Sequence, residues 1–94
     1  MSGPTKMAIL IFSAEMKYII APRSCLTGNG ITPVSAVVLD GYSVANENEI
    51  RYRYPAKSLE EITVALDGVI VNRVDALDFL HGRKTITQLK NTEI

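Results

Sequence analysis

The sequence predicts an α+β fold: a small single-layer antiparallel β-sheet of four or five strands, with two helices packed on one face. Two observations lead to this prediction. Short apolar runs and one alternating segment occupy the chain up to Tyr54, and helical periodicity with capping signals begins at Ser58. A chain that places its strands before its helices favours a segregated sheet and helix layer.

Length and composition set the class of protein. The chain has 94 residues, ten basic against ten acidic side chains, and 47% hydrophobic residues. We expect one domain over residues 7–90, with residues 1–6 and 91–94 as flexible tails. Zero net charge excludes the strongly basic footprint of a general nucleic-acid binder. No run approaches the roughly 18 apolar residues of a membrane span, so no membrane partner is expected.

Cysteine and histidine content limits the chemistry. Cys25 is the single cysteine and His81 the single histidine. One thiol cannot form an internal disulfide, and one of each cannot complete a zinc site within one chain. We therefore expect no cofactor and no metal, and a cytoplasmic location.

The strands begin near the N-terminus. Residues 7–12 and 16–21 are apolar runs separated by a short polar break, and they predict a hairpin or one long bent strand that ends at Pro22. Residues 24–33 are expected to be irregular, with Asn29-Gly30 as a hairpin turn.

Two further segments complete the predicted sheet. Residues 34–39 predict a strand, and Asp40-Gly41 predicts a tight turn into a returning strand at residues 42–44. Residues 50–54 alternate cleanly, which puts Ile50, Tyr52 and Tyr54 on one strand face and two arginines on the other.

Ser58 opens the first predicted helix. Ser58 and Glu61 have the spacing of a capping box. The helix either ends at Gly68, with residues 69–71 as a short strand, or continues through it; the β-branched trio favours the strand. Residues 54–61 resemble a capped segment found in many short accessory proteins, a structural pattern that assigns no residue a role.

A second helix and a last strand follow. Asn72 has the position of an N-cap, with Asp75 three residues later, and His81 and Gly82 are helix-stop signals. The alternating threonines and isoleucine in residues 84–89 predict a final strand.

Surplus apolar surface gives the leading hypothesis for function. Residues 7–12 are apolar at every position, which one face of a small sheet cannot bury. We therefore expect a non-enzymatic regulatory, inhibitor or adaptor protein that binds another protein or itself, as a homodimer joined through its N-terminal strands. The expected interaction residues are Ile9, Ile11, Tyr18 and Ile20.

The first alternative is weak nucleic-acid binding by Arg51 and Arg53. On one strand face their guanidinium groups would lie about 7 Å apart, a spacing that suits successive phosphates of a single strand. Zero net charge makes a solvated, salt-bridged face the simpler interpretation.

The second alternative is an enzyme whose site is assembled across a dimer interface. Cys25 with His81 could supply a nucleophile and its base, and the helical pair Asp75 and Asp78 could share a metal or a proton. The simpler interpretations are an inert cysteine, a histidine that caps a helix end and two solvated carboxylates, so no catalytic residue is assigned. The acid pairs Glu47/Glu49 and Glu60/Glu61 carry no separate functional prediction. Gly28-Asn29-Gly30 matches no phosphate-binding motif and is expected to be a turn.

Overall fold

A computed structural model describes residues 16–92, and in this part of the chain a three-stranded antiparallel sheet is combined with five helices. The elements are β1 (Tyr18–Pro22), α1 (Arg23–Gly28), β2 (Tyr42–Asn46), α2 (Glu47–Arg53), α3 (Leu59–Ala65), β3 (Val69–Val71), α4 (Arg73–Leu80) and α5 (Ile86–Thr92). The predicted strand at residues 7–12 and the predicted tail at residues 1–6 lie outside the described residues.

β1 is the central strand of the sheet, whose order is β2-β1-β3. Its Ile20 lies opposite Val44 of β2 and Val69 of β3, and both neighbours run antiparallel to it. Both edges of β1 are therefore paired within the chain. The predicted α+β class and antiparallel pairing are confirmed, whereas the predicted four or five strands are not: the described residues form three.

Helices cover both faces of the sheet. Ile19 and Ala21 face a cluster that includes residues of α1, α2 and α3, whereas Ile20 faces one that includes residues of α4 and α5. The prediction of two helices on one face is not confirmed. The physical reason lies in β1, whose successive apolar side chains need a cover on each side, since neighbouring residues of a strand point to opposite faces.

The predicted capping signals around α3 and β3 are confirmed. Ser58 Oγ accepts a hydrogen bond from the Glu61 amide, and the Ser58 amide donates to Glu61 Oε1, both at 3.1 Å. The helix stops before Gly68, whose amide donates to Thr63 O, and β3 follows directly.

The predicted α4 is confirmed at both ends. Asn72 Oδ1 accepts from the Asp75 amide at 2.8 Å and begins the helix. His81 is its C-cap, and Gly82 follows at a φ of 77°. That positive φ is a conformation that glycine adopts at no steric cost.

The predicted strand at residues 50–54 is wrong, because most of this segment belongs to α2. Asn46 Oδ1 accepts from the Glu49 amide at 2.8 Å, which caps the helix, and Arg51 bonds to Glu47 one turn earlier. Alternation over five residues also places the first and last side chains four positions apart, on one helix face. Ile50 is accordingly buried and Tyr54 half-buried against the same cluster.

The predicted strand at residues 84–89 is also wrong. Thr85 Oγ1 accepts from the Gln88 amide, and the Thr85 amide donates to Gln88 Oε1 at 2.8 Å. This reciprocal pair starts α5 in the way that the serine–glutamate pair starts α3.

The segment between β1 and β2 differs from its prediction except at the turn. Most of α1 lies within residues 24–33, and Asn29-Gly30 closes the end of that helix instead of forming a hairpin turn. Residues 34–39 form no strand beyond an isolated bridge from Leu39 to Tyr42. Asp40-Gly41 is the predicted tight turn, with both residues at positive φ.

Candidate interaction surface

A groove lies between α4 and the irregular segment that precedes β2. Its volume is about 220 Å³. The lining side chains come from β1, β2, α4 and that segment: Tyr18, Val34, Val44, Asn46, Arg73, Ala76, Leu77 and Leu80. We call it the α4 groove.

Backbone hydrogen bonds hold the irregular segment against the sheet beside the groove. The Val34 amide donates to Val44 O at 2.8 Å, so the segment runs along the outer edge of β2. Ser43 is fully buried, and its hydroxyl donates to Val37 O at 3.1 Å while accepting from Arg23 Nη1. These bonds give the groove a fixed wall, since each buried polar group has its partner.

The rim of the α4 groove is apolar and exposed. Val34 and Leu77 line it at 42% and 40% exposure, and Val74, one helical turn before Leu77, is 65% exposed. Val37 and Val38, in the same irregular segment, are exposed as well. Large exposed apolar side chains that gather on one surface mark binding sites more often than isolated ones do.

The α4 groove is nearly free of charge. Arg73 is the one charged residue among those that line it. A surface of this kind favours an apolar partner over an anionic polymer, since nucleic-acid interfaces are strongly positive.

A larger groove of about 420 Å³ lies beside β3 and α3. Its lining includes Val64, which is 81% exposed, but also Glu60 and Lys90. The opposite charges on its walls and its single strongly exposed apolar side chain make it a weaker candidate for an apolar partner.

The predicted interaction residues are separated by the fold. Tyr18 lines the α4 groove, half-buried against the adjacent core. Ile20 is fully buried, so its side chain belongs to the core and has no surface to offer a partner. Sequence alternation could not separate these two, because every residue at 18–21 is apolar or aromatic. Ile9 and Ile11 lie outside the described residues.

Arg51 and Arg53 do not share a strand face, because both belong to α2. Residues two positions apart on a helix point in different directions. The Arg51 Nε lies 2.8 Å from Glu47 Oε2, and this bond lowers the pKa of the Glu47 carboxyl. Arg53 Nε instead donates to Asn29 O at 3.1 Å. The regular phosphate spacing predicted for the pair is therefore lost.

Cys25 and His81 lie on opposite sides of the sheet. Cys25, on α1, is half-buried against the cluster that contains Ile19. His81 is the exposed C-cap of α4, whose buried residues pack on the other face. A nucleophile and its base need hydrogen-bond reach, which this arrangement does not provide within one protomer.

Asp75 and Asp78 are both paired with bases. Lys84 Nζ lies 2.6 Å from Asp75 Oδ1, and Arg83 Nε lies 2.7 Å from Asp78 Oδ1. The Arg83 hydrogen bond lowers the pKa of the Asp78 carboxyl, and the Asp75 hydrogen bond raises the pKa of the Lys84 ammonium. This is a balanced surface network, and such networks fix local structure.

Glu61 has a structural role. Glu61 completes the α3 capping box, and the Ser58 amide lowers the pKa of its carboxyl. Within residues 16–92 no group of three or more histidine, cysteine, aspartate or glutamate side chains could hold a metal ion. Over the same residues, no helix has the length and hydropathy needed to cross a bilayer.

Comparison with known proteins returns no relative of this chain. No family model, no curated protein and no solved structure matches it.

Proposed function

We propose that the protein works as a non-enzymatic interaction protein, and that its α4 groove binds a second copy of the same chain. The observation that carries the proposal is an exposed apolar patch: Val34 and Leu77 line the groove, and Val74 is exposed one helical turn before Leu77 on α4. Covering such side chains removes apolar surface from water, which is the main favourable term in protein association. In this role the protein would act as a small regulator, inhibitor or adaptor.

A second copy is the occupant that suits the α4 rim. Val74 and Leu77 lie one helical turn apart, so they form a short apolar ridge along α4. A two-fold axis beside the helix would bring the same ridge of two protomers together, and an isologous interface needs only such a self-complementary patch. Zero net charge adds little repulsion between copies.

The N-terminal segment keeps a part in this proposal. Both edges of β1 are paired, so association by adding a strand to residues 18–22 is not part of it. Tyr18 contributes through the groove that it lines. Ile9 and Ile11 remain proposed contacts on the sequence argument that residues 7–12 are apolar throughout.

Sedimentation velocity of the full chain over a range of concentrations tests the proposal. Wild type is expected to shift from monomer to dimer as concentration rises. Val74→Glu should weaken dimerisation by at least about tenfold, since a buried valine contributes about 1.5 kcal/mol. Val64→Glu is the matched control: it places the same charge at another exposed helical valine, outside the α4 groove.

Three results would count against the proposal. Wild type that stays monomeric at every concentration removes self-association. If Val64→Glu and Val74→Glu weaken dimerisation equally, the effect is due to the added charge alone. If Val74→Glu leaves the dimer unaffected, the interface lies elsewhere. Urea unfolding of both variants shows that each is folded in the measurement.

Neither alternative function gains a supporting observation. Arg51 is engaged by Glu47, and Arg53 by the Asn29 carbonyl, so these two guanidinium groups do not form a free row along which a nucleic acid could bind. For an enzyme, Cys25 and His81 would have to meet across two protomers. The single cysteine supports a further part of the proposal, a reducing compartment such as the cytoplasm.

A further inference from the structure

Asn29 and Gly30 form a turn that is tied to the end of α2. Asn29 Nδ2 donates to Cys25 O at 2.7 Å, and Asn29 Oδ1 accepts from the Tyr54 hydroxyl at 3.1 Å. The Gly30 amide donates to Thr27 O at 3.1 Å. Both the carboxamide of Asn29 and the amide that follows it are therefore engaged.

An asparagine followed by glycine is chemically labile. The Gly30 nitrogen can attack Asn29 Cγ, because glycine has no side chain to shield its amide. A new N–Cγ bond then forms, the Cγ–Nδ2 bond breaks, and Nδ2 leaves as ammonia with the proton from the Gly30 amide. Water opens the resulting succinimide on either side, which yields aspartate or isoaspartate. The net reaction takes up one water and releases one ammonia.

The folded backbone opposes this ring closure. The five-membered ring requires the Asn29 Cβ and the Gly30 nitrogen to eclipse about the Cα–C bond. Asn29 has a ψ of 13°, which holds these two atoms far from that arrangement because Cβ is offset by roughly 120° from the backbone nitrogen at a tetrahedral carbon. Rotation to the reactive geometry must break the hydrogen bond from the Gly30 amide to Thr27 O, and it must release the Asn29 carboxamide from the Tyr54 hydroxyl.

We propose that Asn29 is a spontaneous modification site, converted by water to aspartate or isoaspartate, and that opening of its contact with Tyr54 sets the rate. The product changes the turn. A carboxylate cannot donate to the Cys25 carbonyl as Nδ2 does. Isoaspartate also adds one carbon to the main chain directly before Gly30 and Ile31, and Ile31 is buried in the core. The rate of modification therefore reports how often this turn opens, and the product loosens the junction between α1 and α2.

Peptide mapping by mass spectrometry tests the proposal. The full chain is incubated at mildly alkaline pH, folded and in urea, and conversion of each asparagine is followed with time. The other asparagines precede glutamate, arginine or threonine, so they serve as internal references. We expect Asn29 to convert fastest of all in urea and much more slowly in the folded protein. Tyr54→Phe should accelerate folded-state conversion about fivefold, the factor for one hydrogen bond of ordinary strength.

Tyr42→Phe is the matched control. It also removes a single tyrosine hydroxyl, one that Lys90 Nζ contacts at 3.4 Å, away from Asn29. Equal acceleration by Tyr42→Phe and Tyr54→Phe would assign the effect to global unfolding and overturn the proposal. An unchanged rate in Tyr54→Phe, or an Asn29 no more reactive in urea than the other asparagines, would overturn it too.

Discussion

Gly68 offers the sharpest test of how closely α3 and β3 pack on the central strand. A Cβ at this position would lie 2.8 Å from Ile20 O and 3.0 Å from Ala21 Cβ and Ile19 Cγ2. The nearest of these atoms is backbone in the middle of the sheet, which cannot move aside as a flexible side chain can. Gly68→Ala should therefore behave as an overpacked core, although a methyl group is the smallest addition available.

The expected loss is about 1–3 kcal/mol in the free energy of unfolding, the usual range for overpacking. In a domain of this size each kcal/mol lowers the melting temperature by about 4–8 °C. Gly28→Ala is the control, because a Cβ there meets nothing within 4 Å. Gly28→Ala should leave the free energy of unfolding unchanged or raise it by up to about 1 kcal/mol.

Urea unfolding followed by circular dichroism measures both variants, with the midpoint and the slope fitted separately. A Gly68→Ala protein as stable as wild type would refute the reasoning, since it would mean that β3 shifts freely relative to Ile20. A Gly28→Ala protein destabilised to the same degree would show that the loss does not depend on packing.

Two further predictions concern polar contacts. Ser58→Ala removes the α3 cap and should lower the free energy of unfolding by about 1 kcal/mol in a urea titration, with Ser58→Thr retaining most of it; no loss would contradict the capping role. The folded pKa of Asp78 is lowered by Arg83, so its ionised form stabilises the fold above the usual aspartate pKa, and that stability is lost as pH falls through the folded pKa. Asp78→Asn should flatten this acid-side fall in melting temperature, and an unchanged slope would contradict it.

Capping residues predicted α3 and α4 correctly. Ser58 and Asn72 act through hydrogen bonds to amides three residues later, so the information needed is local. The same kind of signal was present at the two segments predicted wrongly as strands. Asn46 precedes Glu49, and Thr85 precedes Gln88, at the same spacing. Weighing these pairs above a short alternation would have identified α2 and α5.

The candidate surface was predictable only in part. The apolar N-terminal run predicts Tyr18 as an interaction residue. It does not predict that Val34, Val74 and Leu77 are exposed. The helical spacing of Val74, Leu77 and Leu80 predicts a buried stripe, and that prediction is wrong for Val74 and Leu77, which are exposed. Their exposure depends on which side of α4 meets the sheet, and Ala76 and Phe79 occupy that side.

Sequence alone determined the caps of α3 and α4 and the Asp40-Gly41 turn, because each depends on residues close together in the chain. It also predicted the antiparallel α+β class. Only the tertiary structure decided that β1 lies at the centre, with Ile19 and Ile20 buried on opposite faces. The physical reason is that an unbroken apolar strand is compatible with several partners. Which helices cover each face is settled by the packing of segments far apart in sequence, and that packing also determines which apolar side chains remain exposed.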